Sequence, residues 1–140
     1  MFNPTRSQAR AFLFEAWAKY RENAPLTDLE RTTVEIIALH PEYHSLLEAK
    51  APSADRDFPP EAGQINPYLH LSLHLGIAEQ LATDRPSGVR AEYERLARKH
   101  VDAHDALHDL LECLGDAMWQ SQRSGTPPDT AAYLDCLRRK

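Results

Sequence analysis

The chain has 140 residues, 42% of them hydrophobic and 26% charged, with a formal net charge of −5. That composition suits one globular core folding without staples and excludes a long disordered tail. It lacks the basic stripe a dedicated nucleic-acid binder needs, and its longest nearly apolar stretch, 69–77, is too short to span a bilayer, so neither partner is expected.

The N-terminus has no apolar signal-peptide core, so a cytoplasmic address is expected. Cys113 and Cys136, 23 positions apart and without a CxxC spacing, are accordingly expected as reduced thiols. Residues 5–22 place Phe12, Leu13, Ala16, Trp17 and Tyr20 on one helical face, and that helix ends before Pro25. Thr27 and Glu30 form a capping-box pattern that opens a second helix with Leu29, Ile36, Ile37 and Leu39 inward. Pro41 interrupts it and pushes His40 out of the helical region, so a kink or a fresh short helix is expected from Pro41 to Ala49.

Residues 50–65, with Pro52, Pro59, Pro60 and Gly63, read as a loop. Asn66 then caps a helix whose first turn holds Pro67. From Leu69 to Leu75 the apolar residues alternate as in a strand. They are leucines, however, they follow a helical cap, and Ile77 and Leu81 continue a helical period, so the reading is helix. The next helical stretch starts at Ser87-Gly88 and reaches about Arg123, as one very long helix or as two with a bend near Lys99 to Val101. After Gly125 and Pro127-Pro128, Asp129 caps a terminal helix. The expected fold is all-α: a single-domain helical bundle over residues 1–140, with about four core helices and short appended ones.

All seven histidines fall in sets spaced by four: His40 and His44, His70 and His74, and His100, His104 and His108. Random placement would give about 0.3 such pairs, and this is the spacing at which helical side chains are neighbours. Two imidazoles so placed can converge on one cation at about 2.0–2.1 Å per nitrogen. On a helical projection His100 and His104 share a stripe with Tyr93, Leu96, Leu107, Leu111, Leu114 and Met118, with His108 on its flank. His70 and His74 align with Leu73, Ile77 and Leu81. Four core histidines without partners would cost about 4–12 kcal/mol against a total stability of about 5–15 kcal/mol, so they must be paired.

A shared metal satisfies several at once; the alternative is a hydrogen-bonded or pH-sensitive histidine core. The candidate ligands are His44, His70, His74, His100, His104, His108 and Glu112, with Glu48 one turn beyond His44. His40, turned aside by the following proline, reads as a cap of the short helix. Glu112 has three readings: a ligand, a partner of His108, or a solvated residue. Asp102, Asp105, Asp109 and Asp116 project outward. Imidazole ligands suit Fe, Zn, Cu or Ni, and an open position on such an ion would take a small ligand. Oxidant sensing, storage or redox chemistry is favoured over hydrolysis, because no separate general base stands out; enzymatic activity stays open. The competing reading is a non-enzymatic helical interaction module.

The order His44-x-x-x-Glu48, His70-x-x-x-His74, His104-x-x-x-x-Asp109 is similar to that of hemerythrin-type di-iron bundles, which implies a carboxylate-bridged iron pair meeting oxygen. Residues 1–39 lack the histidine that the first helix of those bundles supplies. A related likeness is to DinB-like bundles, with a three-histidine mononuclear site. Over the whole chain, the run His40-Pro41-Glu42-Tyr43-His44, the segment from Asn66 to Leu75, Glu112-Cys113-Leu114-Gly115 and Trp119 to Arg123 resemble a bacterial family catalogued as domain of unknown function 1841. Met1-Phe2-Asn3-Pro4 and Ala132-Tyr133-Leu134-Asp135-Cys136 look like its two ends. The resemblance implies a small proteobacterial cytoplasmic protein and brings no activity with it.

Overall fold

The computed structural model describes residues 6–48 and 66–140. Among them every regular element is helical, so the all-α expectation holds. No described helix is long and apolar enough to cross a membrane. The loop expected over 50–65 lies outside the described residues. The chain forms two compact units, Met1–Leu75 and Gly76–Lys140.

In the first unit, α1 (Arg6–Arg21) buries Leu13, Ala16 and Trp17 and leaves Tyr20 exposed. Its successor α2 (Asp28–Ala38) opens on the expected capping box: Thr27 Oγ1 accepts from the Glu30 N–H and Glu30 Oε1 from the Thr27 N–H. Such a cap stabilises a helix by about 1 kcal/mol. Its inward face is Thr33, Val34, Ile36 and Ile37, whereas Leu29 and Leu39, expected inside, are exposed. Leu39 and His40 already follow the last helical residue, so they no longer keep the helical period. Pro41 ends the run as expected, and a 3₁₀ turn (Pro41–Tyr43) leads into α3 (His44–Glu48). Trp17 fastens α1 to α3 by donating its indole N–H to Glu48 Oε2 over 3.2 Å. The first half of α4 (Pro67–Thr83) completes this unit, capped by Asn66 Oδ1, which accepts from the N–H groups of Tyr68 and Leu69.

The second unit takes the rest of α4, then α5 (Val89–Ala97), α6 (Ala103–Ser124) and α7 (Thr130–Arg138). Of the two sequence alternatives, the chain adopts the interrupted one: helix stops after Ala97, and Asp102 caps a new start by accepting from the His104 N–H. Asp84 takes over the start of α5, its Oδ1 accepting from the N–H groups of Gly88 and Arg90. Gly125 closes α6 at φ 68°, a left-handed conformation that only glycine adopts without cost. Asp129 caps α7 as expected. The core gathers Ile77, Val89, Leu96, Ala106, Leu110, Cys113, Tyr133 and Leu137.

One expectation fails here. Cys113 and Cys136 are joined in a disulfide, with Cα atoms 5.8 Å apart. Their separation in sequence hides the pairing, because the turn after Gly125 folds α7 back onto α6 and brings the two positions opposite each other.

Candidate metal centre

The first unit holds four histidines. His40 is fully buried. Released from the helix by Pro41 (φ −127°, ψ 67°), it turns its ring back so that Nδ1 donates to the Ile36 carbonyl over 2.8 Å. Its Nε2 lies 3.1 Å from Nε2 of His70. From α4, His70 and His74 present rings 4.9 Å apart, and the His40 ring lies 4.9 Å from the first and 4.6 Å from the second. Tyr43 stacks on His40 at 5.5 Å and meets His70 edge-on at 5.9 Å. Burial, then the negative Glu42 beside it, hold the Tyr43 phenol above its ordinary range, so it stays protonated. His44 faces elsewhere: its ring packs 4.6 Å from Trp17 and its Nε2 donates to the Ile37 carbonyl over 2.9 Å.

In the second unit, His104 and His108 stand one turn apart on α6 with ring centroids 4.3 Å apart. His100 belongs to no helix, so the projection that placed it in their stripe does not apply. Its Nε2 instead meets Asp109 Oδ2 at 2.7 Å. Asp109, expected to face solvent, is therefore partly covered and engaged. Glu112 is exposed and pairs with Lys140 Nζ at 3.1 Å.

Four residues qualify as candidate ligands by donor type and placement: His40, His74, His104 and His108, each offering one ring nitrogen. Within the first unit the nitrogens of His40 and His74 lie within 4.8 Å of each other, and so do those of His104 and His108 within the second. The first pair is buried and the second half-buried. His40 is the residue that sequence reasoning set aside. The proline that argued against it is what turns its ring inward, and its fourfold spacing to His44 was the one signal pointing to it.

These donors are all imidazoles, a set that suits borderline transition ions and not the oxygen-seeking Mg²⁺ or Ca²⁺. Fold and donors together define a class: a helical, histidine-rich protein with residues able to hold a transition-metal ion. The chain belongs to the family described as Domain of unknown function (DUF1841), whose model matches residues 5–139. No curated protein and no solved structure matches the chain. The likenesses to hemerythrin-type and DinB-like bundles accordingly rest on residue patterns alone.

Proposed function

We propose that the protein binds transition-metal ions, Fe, Zn, Cu or Ni, through a histidine pair in each unit, His40 with His74 and His104 with His108. The observation that carries this reading is the pairing within each unit: two imidazoles whose ring nitrogens lie within 4.8 Å, with neither carboxylate nor thiolate in the group. Imidazole ligands without a carboxylate or thiolate leave a bound ion its full positive charge, which suits binding of a small anionic or oxidising ligand at an open position. The role that follows is oxidant sensing, storage or redox chemistry.

The test is elemental analysis of protein purified without an affinity tag, followed by titration with each ion. Metal uptake at the pair of each unit is expected, lost at the first pair in His74→Gln and at the second in His104→Gln. Uptake below about 0.3 ion per chain, with no rise in melting temperature, would sink the reading.

A second reading has its own support. His40 and His44 both donate to main-chain carbonyls, and His40 meets His70 directly. These are the contacts of a hydrogen-bonded histidine core in a non-enzymatic interaction module. That core would be indifferent to added metal and to chelator, whereas a metal centre would respond to both.

A further inference from the structure

The disulfide between Cys113 and Cys136 plays no part in the histidine pairs, and its two sulfurs have different surroundings. Cys113, on α6, is only 1% exposed and belongs to the apolar core of its unit. Cys136, on α7, is half-buried. Both border a cavity of about 270 Å³ between α6, α7 and the turn joining them. Asp116, Gln120, Ser124, Thr126 and Arg139 share that border, and all five are exposed, so the cavity opens to solvent with the bond in its wall. Helix α7 does not depend on the bond for its place. Tyr133 and Leu137 are buried, Arg95 donates to the Leu137 carbonyl over 2.8 Å, and the Tyr133 hydroxyl donates to Gln80 over 2.7 Å.

Thiol exchange in a folded protein needs room beside one sulfur and a fold that survives the opened bond, and both are present. We propose that this cleft is a modification site at which a small thiol is joined to Cys136. The incoming thiolate attacks the sulfur it can reach, Sγ of Cys136. The S–S bond breaks, and its electron pair leaves on Sγ of Cys113. Burial in the apolar core favours the neutral thiol, so Cys113 takes up the proton that the incoming thiol released to solvent. A protonated, buried sulfur attacks back poorly, and the mixed disulfide persists. A second small thiolate then attacks the small thiol's own sulfur in the mixed disulfide, which frees Cys136 and a low-molecular-weight disulfide. The lining sets the ligand class. Its volume is below the roughly 300–1,000 Å³ of sites for drug-sized molecules, so the ligand is small. Asp116 and Arg139 offer opposite charges, a match for the ammonium and carboxylate of an amino-acid thiol such as cysteine or glutathione.

The experiment incubates the native wild-type chain with reduced glutathione at neutral pH, caps the remaining thiols by alkylation at successive times, and maps both cysteines by mass spectrometry. Glutathione on Cys136 beside alkylated Cys113 is expected, with helix content unchanged by circular dichroism. A bond that opens only in denaturant, glutathione on Cys113, or reduction with no adduct at any time overturns the proposal. Single variants read the same asymmetry from the other direction. With oxidised glutathione, Cys136 in Cys113→Ser should be modified about tenfold or more faster than Cys113 in Cys136→Ser, and equal rates overturn the proposal. Arg139→Gln in the otherwise wild-type chain should slow reduced glutathione about twofold or more relative to uncharged 2-mercaptoethanol. An unchanged ratio overturns the assignment to amino-acid thiols.

Discussion

His40 donates its Nδ1–H to the carbonyl of Ile36, four residues back and one turn from the end of α2. The same carbonyl also accepts from the Leu39 N–H, so it keeps a partner when the ring is removed. His40→Ala should therefore cost the metal-free protein about 2 kcal/mol, one net hydrogen bond plus the packing of a buried ring. Urea unfolding should register this as a lower midpoint at unchanged slope. The same variant should gain less stability from added metal.

The proposed metal binding would be linked to the stability of the folded chain. At a free ion concentration a hundredfold above Kd, the wild-type protein gains about 2.7 kcal/mol. For a chain of this size that raises Tm by roughly 5–10 °C. Chelator should reverse the rise, and His74→Gln or His104→Gln should each diminish it. Affinity should fall as the solution is acidified, because an imidazole must be neutral to bind a cation. A Tm indifferent to every ion would favour the hydrogen-bonded core.

Much of this architecture is legible in the sequence because its signals are local. The capping box at Thr27 and Glu30, the Asn66-Pro67 start and the Asp129 cap each act within four residues, and each appears as read. The histidine spacing likewise announces His74, His104 and His108. What the sequence hides depends on contacts between distant positions or on a break in periodicity. The disulfide of Cys113 with Cys136 needs the α6–α7 turn. Inward placement of His40 needs the backbone excursion before Pro41, and the pairing of His100 with Asp109 needs the helix break at Arg98 to Asp102. A helical wheel drawn through that break assigns His100 to a stripe it does not occupy.

Glu30 ties α2 to α1. Its Oε2 lies 2.8 Å from Lys19 Nζ. The hydrogen bond from Lys19, then that from the Thr27 main chain, hold the carboxyl below its ordinary range. Since the folded value lies below the unfolded one, this contribution is present above the unfolded carboxylate value of about 4.3 and is lost as pH falls through the lowered folded value. Glu30→Gln should be less stable than wild type at neutral pH and should lose less on acidification. Urea midpoints across the acid range check this; parallel curves for the two proteins would show that the ion pair contributes nothing.

The bond between Cys113 and Cys136 closes a loop of 23 residues in sequence separation. Constraining a loop of that length in the unfolded chain stabilises the fold by about 3 kcal/mol. The paired replacement Cys113→Ser with Cys136→Ser should lower unfolding stability by about that amount. Helix α7 should nonetheless stay helical and docked, because Arg95 donates to the Leu137 carbonyl and the Tyr133 hydroxyl to Gln80. A cavity of about 270 Å³ is bordered by both cysteines. Thiol titration of the native protein should find no free thiol before reduction and two after. Two free thiols in untreated protein would contradict the pairing.

Asp109 separates the two pictures of the site most cleanly. In the hemerythrin-like pattern it would be a carboxylate ligand. In the folded chain its Oδ2 is 2.7 Å from His100 Nε2, and Lys140 Nζ lies 4.0 Å from its other oxygen. Both groups are partly solvent-exposed, so the pair is worth at most about 1 kcal/mol. Asp109→Asn should therefore shift stability by less than that and leave metal stoichiometry and affinity unchanged. Loss of the ion in this variant, with helix content intact by circular dichroism, would move the carboxylate into the metal's coordination sphere. An all-imidazole centre would then be the wrong description.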